Sequence, residues 1–288
     1  MNGKIIKVIS NDYTVKLDNG DKIICKPRGV FRNQNITPLA GDLCNVDLEK
    51  SVIDKILPRK NELNRPPVSN IDIAIVVMST IKPDFSMNLL DKMLNIIEYN
   101  NIEPVVVITK KDLFYNDDID NKINYYKNIG YKVFINDEID SITNYIQNKE
   151  VILTGQTGVG KSSLLNRLDS SLNLKTDEIS IALGRGKHTT RAITFYELGS
   201  SLIADTPGFS SLSFIDMNKE DIRDNFIEFN KYRDECKYRD CMHIKEDNCK
   251  IKELVDEGII NEERYIDYVD FIKEKENEGI SFNSKEKR

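Results

Sequence analysis

The N-terminal segment alternates apolar and polar positions in short runs that turn residues separate. This period-2 alternation predicts strands, and signals such as Asp18-Asn19-Gly20 mark the turns between them. The predicted strands are Lys4–Ser10, Tyr13–Leu17, Lys22–Lys26, Leu43–Leu48 and Val52–Leu57. Five short strands in so small a segment are typical of an OB-type barrel, a fold that often binds nucleic acid. The alternative is a small β-domain that only packs against its neighbour.

The pattern changes after the polar segment Arg59–Pro67, where buried strands begin to alternate with amphipathic helices. The predicted strands are Ile71–Ser79, Pro104–Thr109, Tyr131–Ile135, Val151–Thr154, Ala192–Leu198 and Ser201–Ala204. The predicted helices are Met87–Tyr99, Ile119–Ile129 and Ser141–Gln147. This alternation predicts an α/β domain with a mainly parallel sheet that is covered on both faces.

Helix-like stretches dominate the chain after Asp216, and the Lys/Glu-rich end reads as a solvated helix with a frayed tail. The predicted helices here are Lys219–Tyr232, Lys250–Asp256 and Glu262–Glu278. We therefore expect a multidomain protein: an all-β barrel at 1–65, an α/β domain at 66–215 and a mainly helical domain at 216–288.

A phosphate-binding loop stands between the strand Val151–Thr154 and a helix-forming segment. Its residues, Gly155, Gln156, Thr157, Gly158, Val159, Gly160, Lys161 and Ser162, fit G-x-x-x-x-G-K-[ST] at every position, and Ser163 opens the helix. The glycines let successive backbone N–H groups point at a phosphate, and the helix N-terminus adds positive potential. Lys161 is expected to reach the β and γ oxygens, and Ser162 to hold Mg²⁺.

Two further segments fit the γ-phosphate side of such a site. Asp205-Thr-Pro-Gly208 follows a strand as a D-x-x-G loop, in which Asp205 would bind Mg²⁺ through water and the Gly208 amide would sense the γ-phosphate. The alternative there is a plain type I turn. Between the two loops, Gly184-Arg-Gly-Lys-His188-Thr189-Thr190 has the composition of a loop that the nucleotide orders. Either Thr189 or Thr190 is the expected second Mg²⁺ ligand.

The base is expected to meet Thr109-Lys110-Lys111-Asp112, which resembles the N-K-x-D loop of translation-factor GTPases. Asp112 keeps the carboxylate that pairs with the guanine N1–H and amine, and Lys110 would lie along the base. The alternative is an ordinary charged helix start after a strand. This loop precedes the phosphate loop instead of following it, which is the order that results when the same sheet is cut and rejoined at its surface loops.

A metal cluster is predicted in the C-terminal domain, where Cys236, Cys241, His243 and Cys249 fall within 14 residues. Three thiolates and one imidazole are the ligands that Zn²⁺ prefers in a closed, structural tetrahedron. The alternative is a coincidence of free side chains on a helical surface. Cys25 and Cys44 lie in predicted barrel strands and read as small core residues.

Charge changes the picture of possible partners. The net charge of −6 argues against a nucleic-acid ligand, but residues 1–65 carry 12 Lys and Arg against 8 Asp and Glu. The basic surplus of the barrel could therefore make local phosphate contacts. Five cysteines do not suit a disulfide framework, and no apolar run approaches the length of a membrane span. We expect a cytoplasmic protein with no membrane contact.

The conjunction of these motifs resembles the bacterial ribosome small-subunit-dependent GTPase A family over essentially the whole chain. The residues that carry the resemblance are the base loop placed first, Gly184–Thr190, Asp205-Thr-Pro-Gly-Phe209 and the zinc ligand spacing. It implies an OB-fold, a circularly permuted P-loop GTPase domain and a zinc finger. It also implies GTP hydrolysis stimulated by the small subunit during its late maturation, rRNA binding, release on hydrolysis and a monomeric state.

Two features depart from what GTPases commonly show. Phe209 stands where many carry a water-orienting Gln, which predicts slow intrinsic hydrolysis and makes His188 the candidate replacement, unless it only anchors its loop. The segment after Tyr131 lacks an S-A-K-type loop, so the second guanine contact stays unassigned. Two other functions stay open: a nucleotide-gated RNA-binding scaffold whose hydrolysis is incidental, and a P-loop ATPase or kinase.

Overall fold

Five strands close into a barrel at the N-terminus in a computed structural model, which describes residues 1–172, 193–205 and 212–285. The strands are β1 (Asn2–Ile9), β2 (Asp12–Leu17), β3 (Lys22–Pro27), β4 (Leu43–Asp47) and β5 (Val52–Ile56), and a short helix α1 (Val30–Asn33) joins β3 to β4. Their order is β1-β2-β3-β5-β4, and the antiparallel pair β1–β4 completes the barrel. The alternation along the sequence therefore predicts the barrel correctly, and both Cys25 and Cys44 are buried inside it.

A hairpin of two short strands, β6 (Glu62–Asn64) and β7 (Pro67–Ser69), follows the barrel in a segment where the sequence suggests only a polar boundary. Buried ionic contacts attach it to the barrel. The Arg59 guanidinium donates through Nε and Nη2 to the buried Asp42 carboxylate at 2.7 and 2.8 Å, and the Ser69 hydroxyl donates to the same carboxylate at 2.6 Å. Polar contacts between residues distant in the chain hold this hairpin in place, so the composition of the segment alone does not predict it.

The central domain is a six-stranded sheet with helices on both faces. Its strands are β8 (Ile73–Ser79), β9 (Glu103–Thr109), β10 (Lys132–Ile135), β11 (Glu150–Thr154), β12 (Phe195–Leu198) and β13 (Ser201–Asp205). The helices are α2 (Met87–Tyr99), α3 (Asp117–Ile129), α4 (Ile139–Tyr145) and α5 (Lys161–Leu168). The strand order is β10-β9-β8-β11-β13-β12, and all neighbours are parallel except β12, which runs antiparallel to β13 at the edge.

The central strand β8 shows why the sequence reads as a continuous apolar run. All seven of its residues are buried, but successive side chains enter different cores. Ala74, Val76 and Met78 pack on one face of the sheet, while Ile73, Ile75 and Val77 pack on the other. The predicted doubly covered parallel sheet is confirmed.

The C-terminal domain contains three α-helices among the described residues, α6 (Lys219–Asp224), α7 (Lys250–Asp256) and α8 (Glu262–Lys285). The predicted helix Lys219–Tyr232 is wrong beyond Asp224, because Asn225 caps it by donating from its side-chain amide to the Asp221 carbonyl at 2.7 Å. The chain continues in short 3₁₀ turns, and Phe226 and Phe229 pack together in one aromatic core.

Helix α8 is more than a solvated helix, since it buries Tyr268, Phe271 and Ile272 against that aromatic core. It also inserts Arg264, which is 1% exposed, into the contact between the central and C-terminal domains. Arg264 forms ion pairs with Asp91 of α2 and with Glu228. Its guanidinium also lies 4.7 Å from the centre of the Phe226 ring. A buried charge needs such compensation, so this group fixes the position of α8.

The barrel attaches to the central sheet through both apolar and charged contacts. Ile6 points out of the barrel and packs in the core of the central domain, and Lys7 pairs with Thr194 just before β12. Four barrel and hairpin-side lysines also form ion pairs with central-domain carboxylates; the pairs are Lys4–Glu150, Lys16–Glu197, Lys22–Glu197 and Lys60–Asp72. Much of the basic surplus of the barrel is therefore used inside the molecule. In the part of the chain that the structure describes, no helix is both long and apolar enough to cross a bilayer.

We predict that Arg264→Met destabilises the protein by about 3–5 kcal/mol, because the substitution keeps most of the side-chain length but leaves Asp91 and Glu228 buried without a cation. Urea unfolding followed by circular dichroism measures the change in the free energy of unfolding. Arg239→Met, at an exposed position of the same domain, is the matched control and should stay within about 0.5 kcal/mol of the wild type. A loss below about 1 kcal/mol for Arg264→Met would mean that the buried pairs do not hold α8 in place.

Candidate active site and metal centre

The phosphate loop connects β11 to α5 at the carboxyl edge of the sheet. Gly155 has φ +142°, and a Cβ there would lie 2.3 Å from the Val77 carbonyl oxygen, so only glycine lets the loop leave β11 beside β8. Gly160 has φ +98° and precedes the first residue of α5. The Lys161 ammonium donates to the carbonyl oxygens of Gly155 and Gln156 at 2.8 and 2.9 Å. The lysine charge is thus held at the loop itself.

The register of the sheet places Asp205, the first residue of the D-x-x-G segment, beside the end of β11. Asp205 ends β13 opposite Leu153 of β11, two residues before Gly155. Neighbouring strands lie about 4.8 Å apart, so the chain leaves both strands at the same point of the edge. Gly208, His188, Thr189 and Thr190 lie outside the described residues, so their predicted roles stay predictions.

The base loop touches the phosphate loop directly. The buried Thr109 hydroxyl donates to the Val159 carbonyl at 2.6 Å. The Lys110 ammonium donates to the Gly158 carbonyl at 2.7 Å and to the Lys82 carbonyl. These bonds join the two loops that the sequence order separates. The predicted proximity of base loop and phosphate loop is therefore a feature of the fold.

The other two residues of the base loop make no hydrogen bond to the phosphate loop among the described residues. Lys111 forms an ion pair with Asp120 of α3 at 2.8 Å, which holds its charge against the helix. Asp112 is exposed in the turn that follows. Of the four predicted residues, only Asp112 therefore presents an exposed carboxylate at this edge of the sheet.

A segment that the sequence analysis left unassigned lies beside the base loop. It starts at Asn136, directly after β10, and its backbone N–H donates to the Ile108 carbonyl at 2.9 Å. The Glu138 carboxylate accepts from the Ile135 N–H at 2.6 Å and closes the turn. The signal was available in the sequence, because the carboxyl ends of adjacent parallel strands meet at one edge. Asn136–Glu138 thus begins beside the end of β9, the strand that leads into the base loop.

The four predicted metal ligands come together in the C-terminal domain. The ligand atoms of Cys236, Cys241, His243 and Cys249 all lie within 4.8 Å of one another. His243 Nδ1 is 3.3 Å from the Cys249 sulfur and 3.6 Å from the Cys236 sulfur, and those two sulfurs are 4.0 Å apart. A zinc tetrahedron requires about 3.6 Å between nitrogen and sulfur and about 3.7 Å between sulfurs, so the spacing fits Zn²⁺.

Burial makes this cluster suited to holding a cation. Burial raises the pKa of the Cys241 thiol to about 12 and lowers the pKa of His243 to about 4, so the imidazole is neutral and able to coordinate. A divalent cation supplies the charge that would stabilise buried thiolates. The Glu246 carboxylate shapes the loop by accepting backbone N–H bonds from Met242, Ile244 and Lys245 at 2.9 to 3.0 Å.

Comparison with known proteins agrees with this arrangement. Residues 2–53 match the model of the RsgA N-terminal domain, and residues 56–215 match that of the RsgA GTPase. The chain is 43% identical over 281 residues to the small ribosomal subunit biogenesis GTPase RsgA of Caldanaerobacter subterraneus subsp. tengcongensis, covering 94% of this chain and 95% of that protein. It is 42% identical to the protein of the same name from Bacillus subtilis, covering 94% and 96%.

Solved structures show the same architecture. YloQ, described as a circularly permuted GTPase, matches with a TM-score of 0.80 and 36% identity, covering 96% of this chain and 95% of that one. YjeQ from Thermotoga maritima matches with a TM-score of 0.77 and 32% identity, covering 95% and 98%. The base loop that precedes the phosphate loop is thus explained by circular permutation. By family model, sequence identity and fold, the chain belongs to the RsgA GTPase family and is a GTP-hydrolysing enzyme.

Proposed function

We propose that this chain is a cytoplasmic GTPase of late small-subunit maturation, which binds rRNA, hydrolyses GTP faster on the subunit and leaves after hydrolysis. The observation that carries the proposal is the match, over 94% of the chain, to relatives named small ribosomal subunit biogenesis GTPase. The partners are GTP or GDP and the small subunit, and the protein acts as a monomer.

The phosphates of GTP are expected to bind along Gly155–Ser163, with the Lys161 ammonium moving from the loop carbonyls to the β and γ oxygens. The Mg²⁺ site is expected at this edge, because Ser162 lies in the first turn of α5 and the backbone of Asp205 ends the neighbouring strand β13. Ser162 would hold the ion with either Thr189 or Thr190, and Asp205 through water. The bound ion would neutralise charge on the phosphate oxygens.

The protein groups prepare the γ-phosphate for in-line attack by water. Lys161 and the loop amides stabilise the charge that develops on the oxygens, and the Gly208 amide senses whether the γ-phosphate is present. Phe209 has no hydrogen-bonding group with which to orient the water, so intrinsic hydrolysis is slow. His188 is the candidate that orients water once the small subunit has placed its loop.

Guanine would be selected between two turns. The Thr109 hydroxyl is already bonded to Val159, so it positions the loop and leaves Asp112 to accept from the guanine N1–H and amine. Asn136–Glu138 is the second guanine-facing segment, since its backbone is fixed beside Ile108. In an ATPase or kinase, Asp112 would have no guanine N1–H and amine to bind.

GTP turnover by the purified protein should rise at least about tenfold when purified small subunits are added, because the subunit completes a site that lacks its own water-orienting group. His188→Ala should remove most of this stimulation while GTP affinity stays at the wild-type value.

Release from small subunits should be faster with GTP than with a non-hydrolysable analogue. Equal release rates would favour the scaffold alternative, and unstimulated turnover would contradict the proposed function.

Asp112→Asn should weaken GTP binding by about 10- to 150-fold, because an amide replaces a charged acceptor that faces two guanine donors. The same variant should prefer xanthosine triphosphate, whose C2 carbonyl accepts from an amide. Nucleotide competition measured by fluorescence gives both affinities, and wild-type protein should prefer GTP to ATP. Asp18→Asn, in an exposed barrel turn, is the control and should change neither. Unchanged GTP binding in Asp112→Asn would remove Asp112 from the base site.

The Cys₃His cluster is proposed to hold one structural Zn²⁺, since four protein ligands leave no open coordination position. Metal analysis of purified protein should find one zinc per chain, and Cys249→Ser should lower that content below about half. Chelation should lower the unfolding midpoint, because the metal-bound loop supports the aromatic core of α8. Cys25→Ser, in the barrel core, should keep the full zinc content. Equal zinc content in both variants would refute this ligand set.

A further inference from the structure

Two lysines of the barrel face each other across a strand pair. Lys16 of β2 stands directly opposite Lys22 of β3 in the antiparallel register. Like charges in this position destabilise a sheet unless an anion lies between them. Here the anion comes from another domain: the Glu197 carboxylate of β12 receives Lys16 on one oxygen at 3.0 Å and Lys22 on the other at 2.8 Å. The pair is therefore a built site for an oxyanion.

The contact is open to solvent and easily exchanged. The side chains of Lys16, Lys22 and Glu197 are 32%, 52% and 41% exposed, and exposed ion pairs contribute little to stability. A second anion can therefore compete for the two ammonium groups without unfolding any element. Because both carboxylate oxygens of Glu197 are used, an incoming group with two or more oxygens, such as a phosphate, matches the site best.

The surroundings favour a nucleic acid over a small anion. Ile24 lies between Lys22 and Lys26 on the outward face of β3 and is 64% exposed. Alternate residues of a strand stand about 7 Å apart, so Ile24 lies between the ammonium of Lys22 and that of Lys26, which pairs with Asp12 at 2.5 Å. Single-stranded nucleic acids bind where cations receive phosphates and apolar side chains support the bases. An acidic polypeptide would use the lysines but would not need the isoleucine.

We propose that Lys16 and Lys22 form a phosphate-binding site for single-stranded RNA, which Glu197 occupies in the free protein. Binding of RNA displaces Glu197 and breaks its two ion pairs with the barrel, while the pairing of Lys7 with Thr194 remains. Since β12 pairs with β13, which ends at Asp205, the exchange lies next to a strand that leads to the nucleotide side of the molecule. The proposal deepens the proposed function, because it rests on RNA as the partner and names where one contact is made.

The test measures the affinity of a fluorescein-labelled oligouridylate of about 12 nucleotides by anisotropy over a range of salt concentrations. Glu197→Gln keeps the shape of the side chain but removes its charge, so it should bind the RNA about five- to thirtyfold more tightly than wild type. Lys16→Gln/Lys22→Gln should bind more weakly than wild type. Its plot of log affinity against log salt should be shallower than that of Glu197→Gln by about 1.4, the value for two phosphate contacts on a single strand.

The matched control is Glu49→Gln, which removes the same charge from an exposed turn of the barrel. RNA affinity of Glu197→Gln no higher than that of Glu49→Gln would overturn the proposal. The proposal is also overturned if Glu197→Gln lowers the thermal unfolding midpoint without changing RNA affinity. That result would mean that Glu197 only holds the barrel against the central domain. Competition by polyglutamate equal to that by oligouridylate would assign the site to an acidic protein and overturn the RNA assignment.

The oligouridylate assay uses no ribosomal subunit, so it separates the two proposals. If small subunits fail to stimulate GTP turnover while Glu197→Gln gains RNA affinity through Lys16 and Lys22, the ribosomal function is wrong and the RNA site stands. If stimulation is present but the variants bind RNA alike, the function stands and this site is wrong. A circular dichroism spectrum of each variant confirms that it is folded.

Discussion

The active site depends on one geometric constraint, the meeting of the carboxyl ends of parallel strands at a single edge of the sheet. β9, β11 and β13 are parallel members of that sheet, and they end at Thr109, Thr154 and Asp205. Each is followed by a loop of the candidate nucleotide site. The constraint concerns strand direction and order, not the order of the loops along the chain. A permuted sequence can therefore build the same site, and the bonds from Thr109 and Lys110 to the phosphate loop are the direct result.

Charge at the domain boundaries serves different purposes according to burial. Arg264 is almost fully buried between Asp91 and Glu228, where burial raises the pKa of Asp91 and the guanidinium charge opposes that rise. Such a group is costly to separate, so it fixes the C-terminal domain on α2. The contact between Glu197 and the barrel lysines is exposed to water and costs little to separate. The first contact is suited to permanent attachment, and the second to exchange.

Sequence patterns predict the parts of this molecule in which local chemistry decides the structure. The barrel strands, the run of β8 and the phosphate loop follow from alternation, apolar length and glycine spacing. The Cys₃His cluster follows from residue type, because three cysteines and one histidine so close in the chain suit a common metal site. Predicting the position of the base loop also requires the strand order, because that order places the loop beside Gly158.

Long-range ionic contacts account for most of what the sequence does not predict. Arg264 reads as one charge of a solvated helix, because its partners Asp91 and Glu228 are 173 and 36 residues away. The hairpin β6–β7 is hidden for the same reason. A count of charged residues predicts the basic surplus of the barrel. It does not predict how much of that charge is available at the surface, since lysines such as Lys16 and Lys22 are already paired with Glu197.

If the proposed RNA site exists, that pairing affects how a protein with a net charge of −6 would select RNA. An acidic molecule repels nucleic acid over long distances, and an internal carboxylate on its lysines reduces nonspecific attraction further. A ligand must then replace Glu197 to gain the site, so it pays the cost of breaking two ion pairs before it binds. By linkage, any change at the nucleotide side that moves β12 alters RNA affinity by the same factor as RNA alters the equilibrium of β12. In this proposal, the Glu197 carboxylate is the group that couples the RNA site to the nucleotide side of the molecule.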